Sequence, residues 1–186
     1  YGTGEDLTYI DTSFTIITQL VKPRASRLVV GMIYNQAEPQ SVDAYQAIAK
    51  LASRLNAEVV AMPLNTSAEA QLVVRSLLSK GIDAFFANPD NTVFAAFETI
   101  LKNCGEAGIP VFTSESGLVA RGAVAAFGAD IYQWGYQSGA QAAHFLRTGS
   151  TDGLRVEMLK VRKRVYNPVA AQSFGFSFPE EFDAVN

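Results

Sequence analysis

Three carboxylates stand in short polar segments that each follow an apolar run. Glu38 lies in Tyr34-Asn-Gln-Ala-Glu-Pro-Gln-Ser41, Asp90 in Asn88-Pro-Asp-Asn-Thr92, and Glu115 in Ser114-Glu-Ser116. Brought together, they could work as general acid and base, as in glycoside hydrolysis. Oxygen donors of this kind also suit Mg²⁺ or Ca²⁺. As a recognition set, the acids and neighbouring amides would hold an ammonium group, and backbone N–H groups at helix starts would hold a carboxylate. Ser41, Asp90, Asn91 and Thr92 could equally serve as helix caps, because short polar side chains satisfy orphan amides. Glu38 precedes its helix and Asp90 sits beside another competent cap, which favours a functional role for both.

Other chemistries thin out on inspection. The segment after the first strand has no glycine, so dinucleotide and P-loop phosphate cradles are excluded. No serine sits in a G-x-S-x-G elbow, and the single histidine, His144, falls mid-helix, which argues against a hydrolase triad. Cys104 falls on an apolar helix face and reads as core. One cysteine and one histidine leave no disulfide framework and no Cys/His metal cluster. A response-regulator receiver would need an acidic pair after its first strand, and Val29-Val-Gly-Met-Ile33 is followed by none. No cofactor and no metal is expected.

The elements that position these loops follow from hydrophobic periodicity. Continuous apolar runs at 27–34, 58–62, 83–87 and 109–113 read as strands covered on both faces. Helical spacing over 41–55, 66–80 and 93–104 places an amphipathic helix after each of the first three, and a fourth helix spans 131–147. Thr66 and Glu69 form a capping box, Gly81 a C′ position, and Asp130 a cap. Residues 114–121 read as a loop and 122–127 as a further apolar run, while 7–21 reads as a helix ending before Pro23. Alternation of this kind gives an α/β fold, an open parallel sheet flanked by helices. Ligands bind outside the carboxyl ends of such strands, and Glu38, Asp90 and Glu115 all fall on that rim.

Composition bounds the partners. With 48% apolar and 18% charged residues in 186, the chain can bury a core and is no disordered segment. Fifteen Lys and Arg against 18 Asp and Glu leave a net charge of −3, the wrong sign for a phosphate-driven nucleic-acid binder. No apolar run approaches the ~20 residues of a membrane helix. The opening Tyr1-Gly-Thr-Gly-Glu-Asp6 lacks the basic and apolar regions of a signal peptide, as would a mature or trimmed chain. From Val156 to Tyr166 apolar and basic residues alternate, with Lys160, Arg162 and Arg164 on one face. With no interleaved aromatics, that face reads as a solvated or charge-guarded edge rather than a nucleic-acid stripe.

Five motifs in order carry a family resemblance. Val30-Gly-Met-Ile-Tyr-Asn-Gln-Ala-Glu-Pro-Gln-Ser-Val42 resembles the G-x-x-Y-N-P-x-E-x-N-S loop of ABC-transporter substrate-binding proteins of the tryptophan and uncharacterised-ligand type. Asp83-Ala-Phe-Phe-Ala-Asn-Pro-Asp-Asn-Thr-Val93 is similar to their D-A-I-x-x-P-T-D-N-T-V. Ala107-Gly-Ile-Pro-Val-Phe-Thr-Ser-Glu115 and Val119-Ala-Arg-Gly-Ala-Val-Ala-Ala-Phe-Gly-Ala-Asp130 resemble A-x-I-P-V-F-x-S-D/E and V-x-R-G-A-L-A-x-L-G-x-D-Y. Asn167-Pro-Val-Ala-Ala-Gln-Ser-Phe-Gly-Phe-Ser-Phe-Pro-Glu180 is similar to their N-x-x-A-A-x-x-L-G-x-x-x-P tail.

The resemblance implies a type I periplasmic-binding fold, an extracytoplasmic location, and a non-enzymatic protein that delivers a small solute, commonly an amino acid, to a membrane permease. By motif position Asn35, Glu38, Ser41, Asp90, Asn91, Thr92, Ser114 and Glu115 would touch that ligand. Gln36 and Gln40 depart from the pattern, replacing proline and asparagine.

Relatives also carry an amino-terminal lobe of about a hundred residues. Residues 1–186 therefore read as a single lobe, the C-terminal part of a two-lobed clamp. The 131–147 helix is expected to cross to the other lobe or to a second copy, where Trp134, Tyr136 and Phe145 would find a partner surface.

Acids and amides on the rim favour an amino acid over a sugar. Tyr34 reads as the one aromatic close to the rim, and Trp134 as too far along its helix to contribute. A sensory ligand-binding module and an enzyme using Glu38, Asp90 and Glu115 are the alternatives. Gene neighbourhood separates the first and turnover the second.

Overall fold

In the computed structural model the described residues are 2–4, 7, 9–88 and 90–185. Tyr1, Glu5, Asp6, Thr8 and Pro89, which enter the sequence reading of the opening segment, the first helix and the third loop, lie outside them, as does Asn186. The chain begins with β1 (Gly2–Gly4), α1 (Ile10–Leu20), β2 (Leu28–Tyr34), α2 (Pro39–Arg54), β3 (Ala57–Pro63), α3 (Ala70–Leu78) and β4 (Ala84–Ala87). Then come α4 (Asn91–Ala95), α5 (Phe97–Glu106), β5 (Val111–Thr113), α6 (Ser116–Ala120), β6 (Ala125–Ala129) and α7 (Ile131–Thr148). The remaining elements are β7 (Val156–Met158), β8 (Arg162–Tyr166), α8 (Pro168–Phe174) and β9 (Asp183–Ala184).

Seven strands form one sheet in the order β3-β2-β4-β5-β6-β8-β9. All its pairings are parallel except β6 with β8. β1 and β7 pair in parallel as a separate two-stranded sheet. Successive residues of a strand face opposite sides, so Phe85 enters the core under α3 and α5 while Phe86 enters the one under α1 and α2. Phe14 of α1 meets Phe86 edge-on, ring centroids 6.2 Å apart. Buried Asp83 fixes the far end of the sheet. It accepts from the backbone N–H of Arg24 at 3.1 Å and of Val29 at 2.9 Å.

Local readings that rest on one motif fare less well. The capping box at Thr66 does not form, for Thr66 makes no side-chain cap bond, and Ser67–Glu69 is a 3₁₀ turn before α3. Gly81 does take a left-handed φ of +74°. The helix expected over 93–104 starts earlier, at Asn91, because Asp90 caps it, and breaks at Ala96 into α4 and α5. The 114–121 loop contains α6, a helix of five residues and too short to show a period.

The 156–166 segment is two strands, not one. Leu159 is buried and Val161 exposed, so the chain turns between them and its halves join different sheets. Three of its cations meet acids, and Arg162 lies over the Tyr9 ring. Lys160 pairs with Glu157 at 3.1 Å, Lys163 with Asp130 at 2.9 Å and Arg164 with Glu181 at 3.5 Å. β8 lies between β6 and β9, so the half-exposed Lys163 and Arg164 belong to an internal strand and not to a charged sheet edge.

The Asp130–Lys163 pair joins the start of α7 to β8. Its hydrogen bond to Lys163, aided by the Gln133 N–H, holds the Asp130 carboxyl below its ordinary value of 3.8. The same bond holds Lys163 above 10.5. A depressed acid stabilises the fold above its unfolded pKa and loses that contribution as pH falls through the folded value. The raised lysine contributes below 10.5 and loses it as pH rises through its folded value. Lys163→Met should therefore lower the melting temperature by a constant amount between about pH 5 and 9, and the gap from wild type should shrink below pH 3.8. Melting curves across pH check this, and a gap independent of pH down to full protonation contradicts it.

Candidate functional site

The rim loops are held by helix caps, which is why their polar residues converge. Asp90 is 2% exposed and anchors the centre. Its Oδ1 accepts from the N–H of Thr92 at 2.8 Å and of Val93 at 3.1 Å. Its Oδ2 accepts from Asn35 N–H at 2.8 Å and from the Ser41 hydroxyl at 2.5 Å. Asn88 donates to Ser41 Oγ at 3.0 Å, and the Asn35 side-chain amide donates to Thr92 Oγ1 at 3.1 Å. One buried carboxylate thus ties the loop after β2 to the loop after β4. Glu115 caps α6 in the same manner, accepting from Gly117 N–H at 2.8 Å and Leu118 N–H at 3.0 Å.

These loops border a cavity of about 430 Å³. Its polar wall is Glu38, Gln40, Asp90, Asn91, Ser114 and Glu115, and its apolar wall includes Tyr9, Phe94, Ile131 and Trp134. Three carboxylates from separate loops therefore meet in one place, and no Lys, Arg or His lines it among the described residues. Such a wall attracts a cation and offers flat apolar faces beside it. Asn35, Ser41 and Thr92 do not line the cavity; they form the network behind it, holding Asp90 in position. Among the described residues no group of three or more His, Cys, Asp or Glu is arranged to hold a metal ion. Cys104 is buried, and desolvation pushes its thiol up to about 12, as befits a core residue.

The aromatic side chain at the rim is not the one expected from the sequence. Trp134 lines the cavity and Tyr34 does not. α7 starts directly after β6, at the same rim, so its first turn reaches the site. The Trp134 indole N–H donates to the Thr3 carbonyl at 2.9 Å, which fixes the ring. Tyr34 instead stacks on Tyr45 with centroids 4.8 Å apart. Gln40, Phe94 and Tyr9 were not legible as lining residues, although Gln40 and Phe94 adjoin motif positions. Trp134 was discoverable from its place one turn after the Asp130 cap.

Comparison with known proteins agrees with this architecture. Residues 3–185 match the family model described as ABC transporter substrate binding protein. A tyrosine-binding protein of Clostridioides difficile (strain R20291) is 31% identical over 166 residues, which is 89% of this chain and 47% of the relative. A conserved domain protein from Vibrio cholerae superposes with a TM-score of 0.84 at 26% identity, over 98% of this chain and 62% of that one. An ABC domain from Streptococcus pneumonia in complex with L-Trp gives 0.81 at 20% identity, over 96% and 60%, a likeness of fold alone. The chain thus spans about half the length of the curated relative and under two thirds of these structures. Its α/β architecture is that of the type I periplasmic-binding fold. The match over nearly every residue places this chain in the family of ABC transporter substrate-binding proteins.

Proposed function

We propose that this chain is the ligand-binding part of a protein that captures an amino acid with an aromatic side chain and passes it, unaltered, to a membrane permease outside the cytoplasm. The observation that carries this reading is the cavity wall, which among the described residues joins acids and no cation to the flat faces of Phe94 and Trp134. An ammonium group fits the first and a ring the second. Holding is favoured over turnover because both oxygens of Asp90 and of Glu115 are engaged in hydrogen bonds that cap helices and tie loops. The tyrosine-binding relative supports the ring-bearing ligand.

Residues 1–186 serve in this reading as one lobe of a clamp. α7 has no buried residue, and Tyr132, Tyr136 and Leu146 on it are at least 71% exposed. The β1–β7 pair is likewise too small to be stable by itself. Both features favour a second lobe that covers α7 and extends this pair, with the cavity as one wall of the cleft between lobes. Ligand bridging the cleft would shift an open–closed equilibrium by its differential affinity for the two states.

Thermal-shift measurement on the full-length protein with the L-amino acids, ribose and adenosine tests the reading. L-tyrosine, L-tryptophan or L-phenylalanine at 100 Kd should stabilise by about 2.7 kcal/mol, a rise of several degrees. A rise with sugar or nucleoside and none with any amino acid would exclude it.

A further inference from the structure

The three cavity carboxylates differ in how much of each is left to bind anything. Asp90 has four hydrogen bonds, two to each oxygen, which fills a carboxylate's ordinary capacity. Glu115 has one backbone N–H on each oxygen. Glu38 is different. It occupies the N-cap position of α2, yet its carboxylate accepts no backbone N–H of that helix. Its Oε2 accepts from the Gln40 side-chain amide at 3.0 Å, and its Oε1 has no partner among the described residues. The Ser114 hydroxyl, on a residue only 3% exposed, borders the same cavity and likewise has no partner among the described residues.

We infer that Glu38 is the acid that receives the ligand's ammonium group and that Gln40 is a positioning residue which sets how strongly it does so. This rests on the amino-acid reading above and names the part of the site that recognises the amine. A free glutamate must lose side-chain freedom when a ligand arrives. Gln40 restrains it beforehand by taking Oε2, and leaves Oε1 to an incoming N–H donor. Position 40 holds asparagine, one methylene shorter, in the sequence pattern that this loop resembles.

The test is calorimetric titration of the full-length protein with L-tyrosine and with its deamino analogue 3-(4-hydroxyphenyl)propionate. Glu38→Gln should weaken L-tyrosine by about 10–100-fold, the range for a hydrogen bond to a charged group, and leave the deamino analogue unchanged. Gln40→Ala should weaken L-tyrosine by roughly 2–10-fold with the same selectivity, the cost of one unrestrained side chain. Both side chains are partly or fully exposed, so the melting temperature without ligand should not move. Unchanged L-tyrosine affinity in Glu38→Gln overturns the inference while the amino-acid reading stands. Equal losses for both ligands in Gln40→Ala overturn the role of Gln40. Failure of wild type to bind L-tyrosine, L-tryptophan or L-phenylalanine overturns the amino-acid reading itself, and this inference falls with it.

Discussion

Asp90→Ala is expected to destabilise the fold by about 3 kcal/mol, because it strands buried and half-buried donors. The N–H groups of Asn35, Thr92 and Val93 and the Ser41 hydroxyl would all lose their acceptor. The loops after β2 and β4 would lose their tie in the same step. For a chain of this size the melting temperature should fall by on the order of 10 °C. Asp90→Asn is milder but informative. One amide NH₂ must face donors, so affinity for ligand should drop as the loops separate. An enzyme using Asp90 would instead keep affinity and lose rate. Paired melting and titration data on both variants decide between these outcomes, and an unshifted melting temperature for Asp90→Ala would contradict the network described.

Gly128→Ala should be comparably severe for a different reason. A Cβ at this position of β6 would lie 1.9 Å from the Ser114 carbonyl oxygen and 2.9 Å from its carbon. Both are backbone atoms, so the loop after β5 must move rather than a side chain rotate. Overpacking of this kind costs about 1–3 kcal/mol and more where backbone must shift. Since Ser114 and Glu115 line the cavity, ligand affinity should fall by roughly tenfold as well, equivalent to ~1.4 kcal/mol. Gly105→Ala in α5 is the control, because nothing lies within 4 Å of its added Cβ. It should be neutral or gain up to about 1 kcal/mol of helix propensity. Melting curves and titrations of the two variants test the contrast, and equal behaviour would refute the close approach.

What could be read from the sequence follows the range of the interactions involved. The strand and helix alternation, and hence the convergence of Glu38, Asp90 and Glu115 on one rim, came from periodicity repeated over many residues. Asn167, Pro168 and Gly175 are likewise local signals for α8, a helix of seven residues that is too short to show a period. Asn167 accepts from the N–H of Val169 and Ala170, and Gly175 takes a φ of +70°. The Thr66–Glu69 box shows the reverse case, a local signal that tertiary packing did not use.

Sequence alone therefore determined the α/β class, the order of the main elements and the polar character of their carboxyl-end loops, since each depends on neighbours within a turn or a strand. Only the tertiary structure decided that Trp134 faces the cavity, that 156–166 divides between two sheets, and that Asp90 is consumed by the scaffold while Glu38 stays open. Those outcomes depend on residues distant in the chain, such as Thr3 beneath Trp134 and Ser41 against Asp90, and no periodicity encodes such meetings.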